Sequence, residues 1–353
     1  MRIGVLTNLN ARKNRSRRLN ALASRFGDDY IVRETREISE IQPVLEEFIE
    51  LGCDYWVSDG GDGTLHWMLN EGRQVLQRKG LWQSERPYPL LVPSNGGTID
   101  FVARTAGIKG RTEQVVRTLA DGLRAGRNFH TVELDTIEVR GHQPGDTPDT
   151  WSFKRIGFAI ALGGAGQKFF SKFYERPNRN PLGIIDISAR TAVGYLSTLP
   201  PFKWVPYVPA DLRELGRHML SGTRAEVVAD GRRFDYGVYQ GLHASSIEVD
   251  FGTMRLFEHA REPGMLHIVV GALPAIEVIY KWTWYVVGKP IPGKQWHEFP
   301  GRSLDVEAAG GELLDPVIDG EMFYGFDRVS VRPGPRVAFP SFGAGTGRDS
   351  VNA

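Results

Sequence analysis

Apolar residues along the first third of the chain come in two alternating rhythms. Short continuous runs, Ile3–Thr7, Tyr55–Val57 and Leu90–Pro93, read as buried strands. Between them lie stretches with helical spacing. One is Ile41 to Leu51, with Ile41, Leu45, Phe48 and Ile49 on one face; others are Arg15–Phe26, Leu65–Leu76 and Ile99–Thr105. This alternation of strand and helix up to about Gly126 predicts a parallel sheet covered by helices on both faces. After His130 strand-like runs dominate: Thr131–Val139, Phe153–Ala161, Arg224–Val228, Phe234–Leu242, Met265–Val270, Ser303–Glu307 and Val317–Phe323. An aromatic-rich helical insertion, residues 167–220, interrupts them, and Gly141–Thr150 reads as a hairpin loop. The expected architecture is α/β: an N-terminal parallel-sheet domain over residues 1–130, completed by 325–340, and a β-rich, sandwich-like C-terminal domain over 131–324. Residues 343–353 read as a disordered tail. The apolar stretch Leu266–Val287 contains Pro274, Glu277 and Lys281, so it reads as a strand and an amphipathic helix, not a membrane span.

Two glycine turns punctuate the first domain. Gly60-Gly61-Asp62-Gly63-Thr64 joins the strand ending in Val57 to a helix, and Ser94-Asn95-Gly96-Gly97-Thr98 repeats the device about thirty residues later. Glycine lets backbone approach a ligand and take up positive φ. A helix start offers N–H groups and the positive end of a dipole, which suits a phosphate. Successive strand–turn–helix units of a parallel sheet lie side by side at the carboxyl ends of the strands, where α/β folds bind ligands. Asp62 adds a carboxylate suited to Mg²⁺ or to accepting a proton. A third element, Asp319-Gly320-Glu321, reads as a tight turn aiming two carboxylates at one place, although Asp-Gly is also the commonest hairpin signal. Each piece has an ordinary structural reading as a turn; their joint order gives the functional one.

Taken together, these segments resemble the diacylglycerol kinase catalytic family, which includes sphingosine-type and bacterial lipid kinases, over roughly residues 1 to 340. The family's Gly-Gly-Asp-Gly-Thr corresponds to residues 60–64, and its following Asn to Asn70. Its second motif corresponds to Gly96, Gly97, Thr98, Ala103, Arg104, Gly107 and Ile108, its middle aspartate to Asp135, and its late Asp-Gly-Glu to Asp319–Glu321. The chain departs from the family in keeping Asn8 but having Leu9 and Arg12 where Pro and Gly are usual, in carrying His66-Trp67 for Asn-Glu, and in having Asp100 for Asn.

The resemblance implies an ATP-dependent phosphotransferase with an alcohol group as acceptor, phosphorylating a hydroxyl of diacylglycerol or a related lipid held by the β-rich domain. Asn8, Gly60, Gly61, Asp62, Gly63, Thr64, Gly96, Gly97, Thr98, Asp100 and Glu321 would bind nucleotide. Asp62, Asp135, Asp319 and Glu321 are the Mg²⁺ candidates. Asp319 is assigned as the base, with Asp62 as its rival. Two alternatives stay open: a NAD kinase-like enzyme, which shares the first glycine turn, and a catalytically weak lipid- or nucleotide-binding regulator. Asp135 also reads as a strand-end residue and Asp100 as a first-turn helix residue. His66 reads as a helix-surface residue, because no second His or Cys sits at metal spacing.

Composition narrows the setting. With 353 residues the chain accommodates two cores, and its 41% hydrophobic and 24% charged content is that of a globular protein. A formal charge of +1 gives no bias toward nucleic acid. The single cysteine, Cys53, excludes an internal disulfide and points to a reducing, cytoplasmic setting. Met1–Leu6 reads as a strand rather than a signal sequence, because polar and basic residues follow. A lipid acceptor implies transient contact with a membrane surface, through the basic run Arg12–Arg18 or the aromatic stretch Trp282–Tyr285, both of which also read as structural features. A homodimer is compatible with all of this.

Overall fold

In the computed structural model, residues 1–11, 30–82, 88–97, 100–176, 181–200, 202, 207–251, 254–286 and 289–342 are described. The chain divides into two units, Met1–Leu134 with Pro335–Ala353, and Asp135–Gly334. The expected helix Arg15–Phe26, the basic run and the C-terminal tail lie outside the described residues.

The first unit is built on strands β1 (Arg2–Asn8), β2 (Tyr30–Thr35), β3 (Cys53–Asp59) and β4 (Leu90–Pro93). They form a parallel sheet in the order β2–β1–β3–β4. β1 and β3 are buried almost throughout, as strands covered on both faces must be. Helix α1 (Ile41–Glu50) inserts Ile41, Leu45 and Phe48 into the core. Gly4 makes room for this, since a Cβ there would lie 2.6 Å from the Phe48 ring. Helix α2 (Asp62–Arg78) buries Leu65, Met68, Leu69, Val75 and Leu76, and α3 (Phe101–Thr105) and α4 (Thr112–Arg124) follow β4. The returning strand Val337–Pro340 pairs antiparallel with Thr131–Leu134. Strand β2 carries no clean apolar pattern and was not foreseen from sequence.

The second unit is a sandwich of two antiparallel sheets. One runs Arg232–Phe234, Thr223–Ala229, Leu304–Ala308, Arg328–Pro333, Ile137–His142, Phe153–Gly157; the other runs Trp296–Gly301, Leu266–Gly271, Gly241–Ser245, Ala159–Gly163, Val317–Ile318, Glu321–Met322. Val139, Val227, Val306 and Val331 from the first meet Ile160, Leu162, Leu242, Ile268 and Ile318 from the second in a single core. The insertion consists of helices Gly164–Tyr174, Pro181–Leu196 and Ala210–Met219 around Phe173, Ile187 and Met219. Leu266–Gly271 leads to helix Ala275–Val286, and no described helix is long and apolar enough to cross a membrane.

Three expected strands are each two. Thr131–Val139 breaks at Asp135-Thr136, where the chain passes from one unit to the other. Phe153–Ala161 breaks at Phe158, where it passes between the sheets of the sandwich. Val317–Phe323 breaks at Asp319-Gly320, a hairpin turn. Apolar alternation runs through the break at Phe158, from Ile156 to Ile160, so periodicity does not reveal that one, whereas Asp319-Gly320 carries its own turn signal.

Candidate functional site

The two glycine turns of the first unit sit at the carboxyl ends of β3 and β4, which pair directly. The turns are pressed backbone to backbone. The Gly96 N–H donates to the Gly60 carbonyl at 3.0 Å. A Cβ on Gly61 would lie 2.6 Å from the Gly97 Cα, one on Gly97 would lie 2.6 Å from the Gly61 Cα, and one on Gly96 would lie 2.6 Å from the Gly60 carbonyl oxygen. A Cβ on Gly60 would fall on the Thr64 hydroxyl. Gly61 is extended at the start of α2, with φ −98°, and none of Gly60, Gly61, Gly63, Gly96 or Gly97 has positive φ. Close approach, not backbone handedness, is therefore what demands glycine here.

Polar side chains lock this arrangement. Asn8, at the end of β1, donates from Nδ2 to the Thr64 hydroxyl at 3.0 Å, and its Oδ1 accepts the Asn10 N–H at 2.8 Å. Asp59, the last residue of β3, is fully buried and was missed by sequence reasoning. Its carboxylate accepts hydrogen bonds from Thr7 (3.1 Å) and from Thr112, the first residue of α4. Thr112 also bonds the Ser94 hydroxyl at 2.8 Å, and Ser94 donates to the Ser58 carbonyl at 3.0 Å. One buried carboxylate thus ties β1, β3 and α4 directly beneath the first turn. An Asp preceding Gly-Gly at a strand end was its only sequence signal.

Asp62 turns toward the second motif. Its two oxygens accept the N–H groups of Phe101 (3.3 Å) and Val102 (3.2 Å), the first residues of α3. Asp100 precedes α3 in the left-handed region at φ 54°, a conformation Asp and Asn tolerate better than most residues. Its Oδ1 accepts the Gly97 N–H at 2.7 Å, closing the second turn, and the residue is buried. Asp100 is therefore a loop-closing residue just before the helix rather than a first-turn one. Thr98 lies outside the described residues. The start of α2 carries no side-chain cap, and the Thr64 and Leu65 N–H groups donate to the Gly61 carbonyl at 3.0 and 3.2 Å. His66, expected on the helix surface, is instead fully buried, with its carbonyl accepting the Asn70 amide at 2.8 Å.

The late carboxylates belong to the second unit. Asp319 (φ 51°) and Gly320 (φ 88°) both have positive φ, as a two-residue hairpin turn between Ile318 and Glu321 requires. Asp319 is buried, and its Oδ1 accepts the N–H groups of Phe158 (2.9 Å) and Ala159 (3.0 Å), while its own N–H donates to Ala159. The Phe158 carbonyl accepts the Ser246 N–H at 2.9 Å. The crossover between the sheets is thereby satisfied on both sides. Glu321 is half-buried beside it in sequence. Asp135 is half-buried, its Oδ2 accepting the Gly264 N–H at 2.8 Å and its carbonyl the Ser246 hydroxyl at 2.7 Å. Among the described residues, no three His, Cys, Asp or Glu side chains gather in a group able to hold a metal ion.

The sandwich holds one strongly perturbed histidine. His243 keeps some exposed surface, yet the surrounding side chains desolvate its ring and lower its pKa to about 4, against the attraction of Glu298 and with the repulsion of His267. Burial likewise lowers Lys168, whose ammonium donates to the Ser221 hydroxyl and, at 2.9 Å, to the Gly222 carbonyl.

Residues 2–129 match the family model of the diacylglycerol kinase catalytic domain. No curated protein matches the chain. Among solved structures, a putative diacylglycerol kinase from Bacillus anthracis str. Sterne is similar with a TM-score of 0.60 at 14% identity, covering 96% of each chain. A diacylglycerol kinase from the same organism gives a TM-score of 0.56 at 13% identity, again covering 96% of each chain. At such identity the likeness is one of fold, and it extends to the parallel sheet followed by antiparallel sheets. Motif and family match agree over residues 2–129, and the chain shares its fold along nearly all its length with these structures.

Proposed function

We propose that the protein is an ATP-dependent lipid kinase that phosphorylates a hydroxyl of diacylglycerol or a related lipid alcohol. The observation that carries this reading is the pair of glycine turns held backbone to backbone at the carboxyl ends of β3 and β4, within the region that matches the kinase catalytic domain. Such a surface presents backbone rather than side chains, and the start of α2 beside it offers the positive end of a helix dipole to a phosphate. Phosphoryl transfer needs mainly positioning and charge stabilisation, which fixed backbone provides.

Asn8, Gly60, Gly61, Asp62, Gly63, Thr64, Gly96, Gly97 and Thr98 are the proposed nucleotide contacts. Asp100 acts by closing the second turn, and Glu321 is proposed from the motif. Mg²⁺ is bound through one or two carboxylates plus substrate phosphates. It would thus arrive with the nucleotide and need no dedicated protein cage. Of the candidates Asp62, Asp135, Asp319 and Glu321, Asp62 adjoins the phosphate turn. Asp319 remains the proposed base for the acceptor hydroxyl. The bound metal would neutralise charge on the transferred group; the chain's own residues fix the turns and orient the acceptor.

One observation favours a second reading, a nucleotide- or lipid-binding regulator with weak turnover: Asp62 and Asp319 both use carboxylate oxygens to satisfy backbone N–H groups. Incubation of the protein with labelled ATP, Mg²⁺ and a panel of diacylglycerol, sphingoid bases and NAD separates the readings. Label transferred to a lipid supports the kinase. Label on NAD alone would replace it with a NAD kinase, and tight nucleotide binding without transfer would leave the regulator.

A further inference from the structure

Helix Ala275–Val286 presents an unusual outer face. Ile276, Tyr280 and Trp284 fall at i, i+4 and i+8, one stripe of the helix, and are 39%, 54% and 40% exposed. On another side of the helix, Val278 packs against the cluster of Val269, Leu273, Ile291 and Trp296. The helix is thus anchored by one face while a row of large apolar and aromatic side chains is held outward. The side chains of Trp282 and Tyr285 lie outside the described residues.

The helix carries one ion pair, and the unpaired charges in the segment that follows it are lysines. Glu277 is paired with Lys281 at 2.6 Å, so the two cancel. Beyond that pair, the sequence from Trp282 to His297 contains Lys289 and Lys294 and no Asp or Glu. Lys289 and Lys294 are exposed, and the Lys289 ammonium stands 5.8 Å from the centre of the Trp284 ring. An aromatic ring with a polar edge and a lysine with an apolar stem are the side chains that settle where hydrocarbon meets water. Excess positive charge beside them complements an anionic surface.

We infer that the Ile276–Tyr280–Trp284 face of this helix, flanked by Lys289 and Lys294, is the surface by which the protein docks on an anionic lipid bilayer. The inference rests on the proposed lipid acceptor and says how a chain without a described spanning helix reaches it. The rings and Ile276 enter the interfacial layer, and the lysines remain at the level of the headgroups.

The test uses the full chain without nucleotide. Sedimentation with vesicles of phosphatidylglycerol and phosphatidylcholine should carry the wild type down, and pure phosphatidylcholine should carry much less. The Ile276→Ser/Tyr280→Ser/Trp284→Ser variant should partition at least tenfold more weakly while keeping its melting temperature and its activity on a short-chain, water-soluble acceptor. Lys289→Gln/Lys294→Gln, which leaves the packing untouched, should remove most of the salt-sensitive part of binding. Wild-type protein that ignores anionic vesicles, or a serine variant that binds them as well as wild type, would overturn the inference. So would a wild-type dimer that the serine substitutions dissociate, since a second copy would then own this face. Should no lipid be phosphorylated while vesicle binding still depends on the stripe, the docking face stands and the proposed reaction falls.

Discussion

The glycine turn of the first unit and the Asp-Gly turn of the second use the same two residue types for opposite reasons. At Gly60-Gly61 and Gly96-Gly97 no φ is positive, and glycine is required because two backbones touch. At Asp319-Gly320 both φ are positive, and the requirement is handedness. The carboxylates differ in parallel. Asp62 and Asp100 brace one loop against another within a parallel sheet's rim. Asp319 repairs a break where a strand crosses between the sheets of a sandwich. A motif rich in Gly and Asp is thus not one physical device, and a substitution that is mild in one region is severe in the other.

The largest effect should come from breaking the contact between the turns. Gly61→Val and Gly97→Val place a branched side chain against backbone that cannot yield, and should cost above ~4 kcal/mol, the exceptional range for one substitution. Gly107→Ala makes the contrast: Gly107 has φ 73° and open space around it, so only backbone strain of about 1 kcal/mol is expected. Chemical denaturation measures all three. A Gly61→Val protein as stable as wild type would show that the turns can separate.

The sandwich turn should be next. Asp319→Ala strips the Phe158 and Ala159 N–H groups of their acceptor and should cost about 2–3 kcal/mol. Asp319→Asn keeps an oxygen there and tolerates positive φ, so it should retain most of the stability. If Asp319 is the base, the Asn variant should also lose ~10²-fold or more in turnover. Full turnover in a stable Asn variant would leave the residue with its structural task alone.

Titration should single out the sandwich. His243 has a folded pKa of about 4, below the ordinary value of 6.5, so the unfolded chain takes up its proton first. Its contribution to stability is complete above pH ~6.5 and is lost as pH falls from there through about 4, on the order of 1 kcal/mol by pH 5.5. Melting temperatures from pH 7.5 to 4.5 should fall, and His243→Gln should flatten that slope. An unchanged slope in the variant would assign the acid sensitivity elsewhere.

The smallest effect is expected at Asp100→Asn, which restores the residue usual in the resembled family. An Asn oxygen accepts the Gly97 N–H and Asn adopts the same left-handed backbone, so stability should move by less than about 0.5 kcal/mol. A large loss, read by the same denaturation, would mean that the carboxylate's charge matters at this turn. That would sharpen the contrast with Asp319, where charge is proposed to serve chemistry.

Much of the first unit was legible because its signals are local. A buried strand, a glycine turn and an amphipathic helix follow one another within twenty residues at Tyr55–Leu76, and periodicity reads each one. The turns' adjacency followed from the logic of successive parallel strands. The sandwich was legible as a class, from its many short apolar runs, but not in its joints. Phe158 sits inside an unbroken apolar alternation although the chain changes sheet there, and the run around Asp135 read as one strand although the chain changes unit there; only the Asp319-Gly320 turn announced itself.

The sequence by itself determined which residues are apolar, at what period, and where glycine and aspartate interrupt them; those facts mark the strand–turn–helix units at Tyr55–Leu76 and the fold class, but not β2 or the break at Phe158. Only the tertiary structure decided what each carboxylate faces. Asp59 lies buried under the turn, Asp62 reaches residues about forty positions away, and Asp319 reaches back about 160. His66 is enclosed rather than exposed for the same reason. A hydrogen bond is short-ranged and directional, so its partner is chosen by whatever the packed fold brings within 3 Å. Hydrophobic periodicity carries no record of that choice.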